Sequence, residues 1–271
     1  THCISSAASD VYKRQMLMSG KAKTYQVIHE VIPHEGDSQV KMVDLMNKAV
    51  VKFADTIVLR NKTYIQDMID RYGISADRVK YLELWRRYPA YTTPVHNGRA
   101  LFFGRINPYK GADNLLEIVH LCPDIKFDVI GRVDSQMQDV VDQLAKEKNV
   151  KLNNDYVTDT EMREAFVSCD WVIVPYNSAS QSGIIIDAYK YSRPVIAFAV
   201  GAIPEQVDDE KSGYLVEAGD NQKFADKLKE AIRLSAEQYD AMSRDAYQYG
   251  SKKYATSGAV ERFVELLDGR I

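Results

Sequence analysis

The stretch "LFFGRINPYKG", Leu101–Gly111, opens as an apolar run, turns at a glycine, and sets Arg105 and Lys110 five positions apart before a second glycine. The apolar run suits a buried strand, and the residues after Gly111 carry helical spacing. In open parallel sheets, ligands bind beyond the carboxyl ends of the strands. Gly104 and Arg105 lie at such an end, and Lys110 lies at the mouth of the following helix. Two cations converging there suit a multiply charged anion, above all a diphosphate; a surface Arg and Lys beside a turn would look the same in sequence. The pattern is not the G-x-G-x-x-G of a dinucleotide loop, and the chain contains no G-x-x-x-x-G-K-[ST] phosphate loop.

Downstream, strands and helices alternate. "FDVIG" precedes a helix with Met137, Val140, Val141 and Leu144 on one face. "VKLNN" leads to a helix begun by a Thr158-x-x-Glu161 capping box. "WVIVP" runs through a Ser/Gly-rich loop into a helix near Ile184–Tyr191. "PVIAF" and "GYLVE" follow, then a helix with Phe224, Leu228 and Ile232 in line. With "ALFFG" this makes about six strands with crossover helices, a complete doubly wound parallel unit expected over residues 95–234. Residues 235–271 read as two amphipathic helices, which either cross back to the first unit or cover the second sheet.

Upstream, "TYQVIHEVIPHEGD", "TIVLRN" and "RVKYLEL" read as strands. Between them lie a helix with Val43, Met46, Val50 and Phe53 in line and one begun by a Thr63-x-x-Gln66 capping box and ended by Gly73. These form the last part of a second Rossmann-like unit over residues 16–94, shorter by its amino-terminal strands. "WRRYPAYTTPVHNG" between the units breaks the pattern and is read as a linker. Residues 1–15 lack apolar periodicity and are expected to be a non-native or disordered leader. The fold class is therefore α/β, with one complete parallel-sheet unit and part of another.

The chain has 271 residues, 45% hydrophobic and 27% charged, with net charge −3. That is ample for a packed core and excludes bulk nucleic-acid binding. Three cysteines without a CxxC indicate reduced thiols and a cytoplasmic setting. No apolar run is long enough to span a membrane.

A second cluster, "PYNSASQSGIIIDAYKYSRPVIAF", enters a helix through small residues. Backbone N–H groups at Ser182, Gly183 and Ile184 would face the same sheet edge, and a helix start attracts phosphate. Asp187, one turn in, suits a ribose diol as acceptor, or simply favours the helix amino terminus. In "AVGAIPEQV", Gly201 allows a tight turn, and Glu205 is given only a structural role. His29 and His34 are lone loop histidines, and as a pair they lack the third ligand zinc requires.

Taken in order, "FxGR-x4-KG", Gly131 at a strand end, "NV-x-L-N-x-x-YV-x-D-x-E-M", "P…SG…DAY-x5-PVIA" and "G-x-IPE-x-V…SGYLV" resemble the donor-binding half of retaining glycosyltransferases of family four, which have the GT-B fold. The resemblance covers about Leu101 to Val216. "VIHEVIPHEGD" resembles the end of that family's acceptor-side domain. By position, the resemblance implies that Arg105 and Lys110 hold the diphosphate of a UDP- or GDP-sugar beside Gly104 and Gly131. The amides at Ser182, Gly183 and Ile184 cap it, Asp187 takes the ribose, and Tyr156 and Val157 lie along the base. His29 approaches the donor sugar across the cleft. The implied reaction is retaining hexosyl transfer to a polysaccharide or lipid-linked glycan, in an enzyme whose truncated form binds nucleotide weakly and transfers poorly. Peripheral contact with the inner membrane face follows where the acceptor is lipid-linked. The chain has no D-x-D triplet, so two cations and a helix dipole are expected to stabilise the leaving diphosphate without metal or cofactor.

One departure stands out. The family carries two glutamates in an E-x7-E element, and counting back from Asp187 reaches Ala179, with Ser180 and Gln181 beside it. The second acid is shortened to Asp and the first is absent. This keeps two alternatives open: a non-catalytic nucleotide-sugar-binding subunit, and a GT-B nucleotide-sugar epimerase, which needs further acidic and basic cleft residues.

Overall fold

The computed structural model describes residues 23–32, 40–94 and 96–270. The expected leader, Cys3 and His34 lie outside the described residues.

The first sheet is parallel, in the order β1 (Tyr25–Ile28), β2 (Thr56–Leu59), β3 (Val79–Tyr81). Helices α1 (Val40–Phe53) and α2 (Ile65–Tyr72) connect these strands. Ile57, Leu59 and Met68 are fully buried between them. The inward face of α1 differs from the expected one. Val51 and Ala54 are buried, and Asn47 turns inward to donate to the Glu30 carbonyl at 2.9 Å, whereas Met46 and Phe53 are 59% and 60% exposed. At about 100° per residue, Met46 and Phe53 sit on the flank of the Val43–Val50 stripe, too far round to share its burial.

The second sheet is also parallel and contains β4 (Arg99–Phe103), β5 (Lys126–Ile130), β6 (Val150–Asn153), β7 (Trp171–Val174), β8 (Val195–Phe198) and β9 (Gly213–Val216). Its spatial order is β6-β5-β4-β7-β8-β9, so the winding reverses between β4 and β7. Helices α3 (Ala112–Leu121), α4 (Gln138–Leu144), α5 (Asp159–Ser168), α6 (Gly183–Lys190) and α7 (Asn221–Ile232) cover it. Every residue of β7 and β8 is buried, as strands covered on both faces require. The Thr158–Glu161 box is present in both halves.

Two helices close the chain, α8 (Ala236–Tyr254) and α9 (Thr256–Leu267). They divide their allegiance. Gly250 brings α8 hard against α6, where a methyl group would stand 2.5 Å from Tyr189 Cβ. Leu266 of α9 instead packs with Val58 and Leu82 of the first unit, and Arg262 Nε stands 2.9 Å from Glu83. The segment between the sheets is pinned rather than loose. Tyr91 donates to Asp240 at 2.8 Å, and Tyr247 of α8 donates to the Pro89 carbonyl at 2.6 Å.

Candidate functional site

The site is the crevice where the winding reverses, and its walls are the loops after β4 and β7. Gly104 ends β4 at φ 108° and donates to the Ile130 carbonyl at 2.9 Å. Gly131 ends β5 at φ 152°, where a side chain would strike the Gly104 carbonyl. Both positions need glycine because the backbone bends and touches there. Asn107 accepts from the Lys110 amide at 3.3 Å and holds the turn that leads into α3. The two loops are then stitched together: Asn114 Nδ2 donates to the Pro175 carbonyl at 2.9 Å, and Asn177 N–H to the Tyr109 carbonyl at 2.8 Å.

Lys110 turns back over β4. A methyl group on Gly104 would stand 2.5 Å from its Nζ and 3.6 Å from Ile184 Cδ1. Lys110, Gly104 and the start of α6 therefore share one hollow. The ammonium lies 5.4 Å from the Tyr176 ring centre, and among the described residues no carboxylate pairs with Lys110 or Arg105. Burial, foremost, holds the Lys110 pKa below the usual lysine value; Arg105 also lowers it, against an opposing pull from Tyr109. A half-buried cation beside a second one is a site short of negative charge. Among the described residues, no group of three His, Cys, Asp or Glu side chains is placed to hold a metal ion.

At the start of α6 the three expected amides are not equivalent. Ser182 N–H already donates to Gln206 Oε1 at 2.6 Å, and Gln206 Nε2 donates back to the Ser182 carbonyl at 3.0 Å. Ser182 is therefore not a free donor, a correction to the sequence reading. Gly183 and Ile184 are the first helical residues, whose amides have no acceptor within their own helix. Asp187 is also engaged: Arg86 Nε donates to its Oδ1 at 2.8 Å and Nη2 to Oδ2 at 3.3 Å. Neither Gln206 nor Arg86 was singled out in the sequence. Gln206 directly follows the "IPE" motif, but Arg86 sits in the segment read as a linker, 101 positions from its partner. Val157 lines a trough of about 720 Å³ with Ile130 and Asn153, while Tyr156 is 84% exposed.

The first unit closes over these loops with polar contacts. Gln181 Nε2 stands 3.2 Å from His29 Nδ1. Burial and then Arg60 lower the His29 pKa, against Glu30. Asn61 Nδ2 donates to the Ser180 carbonyl at 2.8 Å. Glu205 accepts from the Lys62 amide at 2.9 Å and from the Thr63 amide at 2.5 Å, and also takes the Thr63 hydroxyl. The expected Thr63–Gln66 box is thus absent. Gln66 bonds Asp70 instead, and the start of α2 is capped from the other unit by Glu205 and locally by Asn61, whose Oδ1 accepts from Tyr64 N–H at 3.0 Å. Ala179, the position of the missing first glutamate, is 2% exposed, and its carbonyl accepts the Ala202 amide at 3.0 Å. Gln181 through its side chain and Ser180 through its carbonyl are the residues of this loop that meet the first unit.

Comparison with known proteins places this geometry. A D-inositol 3-phosphate glycosyltransferase of Corynebacterium aurimucosum is 23% identical over 76% of this chain and 54% of its own length. A 41.2 kDa protein of the cps region of Klebsiella pneumoniae is 28% identical over 91% of this chain and 65% of its own. The chain thus spans between half and two thirds of these relatives. Among solved structures, Anabaena HepE in complex with UDP and glucose superposes with TM-score 0.79 at 18% identity, covering 97% of this chain and 76% of that one. TarM of S. aureus, in complex with UDP among other ligands, gives TM-score 0.78 at 18% identity over 91% of this chain and 51% of that one. These likenesses show the GT-B arrangement of two Rossmann-like units. The family described as "Glycosyl transferases group 1" matches residues 97–233, just over half the chain, and the protein belongs to it.

Proposed function

We propose that this chain carries the donor site of a retaining, metal-independent glycosyltransferase that moves a hexose from a UDP- or GDP-sugar to a polysaccharide or lipid-linked glycan. The observation that carries the reading is the unpaired charge at the crevice: Lys110 beside Gly104 and the start of α6, with no carboxylate partner for it or for Arg105 among the described residues. As the glycosidic bond breaks, negative charge grows on the leaving diphosphate. The Lys110 ammonium, the Arg105 guanidinium and the start of α6 stabilise it there. Glycosyltransferase names among the relatives and UDP in the solved neighbours support a nucleotide-sugar donor.

His29 meets the donor sugar beside Gln181, and Tyr156 and Val157 border the base. No protein nucleophile is assigned, and attack on the same face retains configuration. Membrane contact follows from a lipid-linked acceptor. Among the described residues, no helix is long and apolar enough to cross a membrane.

A second reading is a nucleotide-sugar-binding subunit without turnover, favoured by the buried Ala179 where the family has an acid. Hydrolysis of UDP-glucose and GDP-mannose with and without EDTA separates the two. Turnover that survives EDTA is expected. UDP binding with no turnover of any donor assigns the chain to the second reading, and turnover abolished by EDTA and restored by Mn²⁺ refutes metal independence.

A further inference from the structure

We propose that Arg86 is a positioning residue of the nucleotide site: it fixes the Asp187 carboxylate for the ribose diol and lays its own guanidinium against the start of α6. This rests on the reading above and adds a residue outside every motif that supports it.

The side-on pairing of Arg86 Nε and Nη2 with both Asp187 oxygens consumes one lone pair on each. A carboxylate oxygen has two, so acceptor capacity remains. The Asp187 side chain is 10% exposed, so little of it can meet a ligand, and its orientation decides which lone pairs do. A planar guanidinium fork sets that orientation in a way a lone aspartate rotor does not. Nη1 donates to the Trp85 carbonyl at 3.1 Å and holds the fork itself. Packing on the helix agrees: a methyl group on Gly183 would stand 3.1 Å from Arg86 Nη2. The guanidinium therefore covers the first residue of α6, next to Ile184 and the Lys110 hollow.

The backbone of Arg86 is anchored to the donor-side unit. Its N–H donates to the Tyr254 carbonyl at 2.8 Å, and its carbonyl accepts the Thr256 amide and hydroxyl, each at 3.1 Å. Tyr254 ends α8, which is pressed against α6 at Gly250. Two residues on, Tyr88 donates to the Ile186 carbonyl at 3.3 Å. Arg86 is thus carried with α6 and remains on Asp187 when a ligand enters, which distinguishes a positioning group from a plug.

The test is calorimetric titration of the chain with UDP, GDP and their 2′-deoxy counterparts, for wild type, Arg86→Lys, Arg86→Gln and Asp187→Asn. Wild type is expected to prefer the ribonucleotide about tenfold, the worth of one hydrogen bond to a charged acceptor. Arg86→Lys keeps the charge and loses the fork, and its preference is expected to fall to within twofold. Asp187→Asn should do the same, and combining the two should lose nothing further. Arg86→Gln serves where Arg86→Lys fails to fold. A purely structural role would lower the unfolding midpoint and leave the ribo/deoxy ratio intact, which overturns the proposal. Nucleotide binding by wild type without a ribo/deoxy preference overturns it too and leaves the reading of the crevice standing. No binding of any of the four nucleotides overturns both.

Discussion

Lys110→Met removes an ammonium and keeps an unbranched stem, and its two expected effects have opposite signs. In the ligand-free chain the ammonium is half-buried beside Gly104, near Arg105, with no carboxylate partner among the described residues. Burial and Arg105 both disfavour its charge, so removing it relieves a cost. With a diphosphate bound, the same group makes a charge-assisted hydrogen bond worth about 1.5–3 kcal/mol, or roughly 10- to 150-fold in affinity. At UDP concentrations about 100 times the wild-type Kd, wild type gains about 2.7 kcal/mol of stability. A variant weakened about 30-fold gains about 0.9 kcal/mol at the same concentration. For a protein near this size each kcal/mol moves the midpoint by about 2–4 °C. Fluorimetric melting should therefore show a UDP shift of about 5–10 °C shrinking to about 2–3 °C, while the ligand-free midpoint holds or rises. A ligand-free midpoint lowered by several degrees, with the UDP shift undiminished, would refute the view that Lys110 awaits an anion.

Three further outcomes are expected. Gly131→Ala, forced into the Gly104 carbonyl at φ 152°, should lose about 2–4 kcal/mol in urea unfolding. Glu205→Gln should lose about 1 kcal/mol by weakening the cap it places on Lys62 and Thr63, and the loss should shrink in high salt. The His29 pKa is lowered in the folded chain, so as pH falls through the ordinary value of about 6.5 the unfolded chain takes up a proton that the folded chain refuses. Stability should decline below that pH and level off once the folded pKa is passed. His29→Gln should show a smaller drop in urea stability between about pH 7.5 and 5.5, and an equal drop in both proteins would dismiss the histidine's part.

What was legible in the sequence was local or periodic. Apolar runs ending in glycine marked β4 and β5, because Gly104 and Gly131 are needed where those strands bend. Thr158–Glu161 marked the start of α5 because both partners lie within one turn. Thr63–Gln66 misled for the same reason in reverse. The pattern was there, but Glu205, 142 positions away, supplies a carboxylate to the same amides. Ser182 offered a helix-start amide that Gln206 had already taken. Arg86 had no local signal at all, since its meaning depends on Asp187 and on the junction of α8 with α9. In α1 the spacing marks Val43 and Val50 on the inward side, but not that Asn47 shares it through bonds to Glu30 and Tyr72 while Met46 and Phe53 stay exposed.

The chain passes from one sheet to the other and back again at a single place, where Arg86 and Ala255 form a short parallel bridge. Two passages fastened together would let the halves swing about that pin but hardly slide or part. Any such swing displaces the rim farthest from the pin most. Among the described residues, the hydrogen bonds it must sever are few: Gln181 with His29, Asn61 with Ser180, and Glu205 with Lys62 and Thr63. Opening would thus widen the crevice beside Gln181 and His29 while Arg86, at the pivot, stays on Asp187.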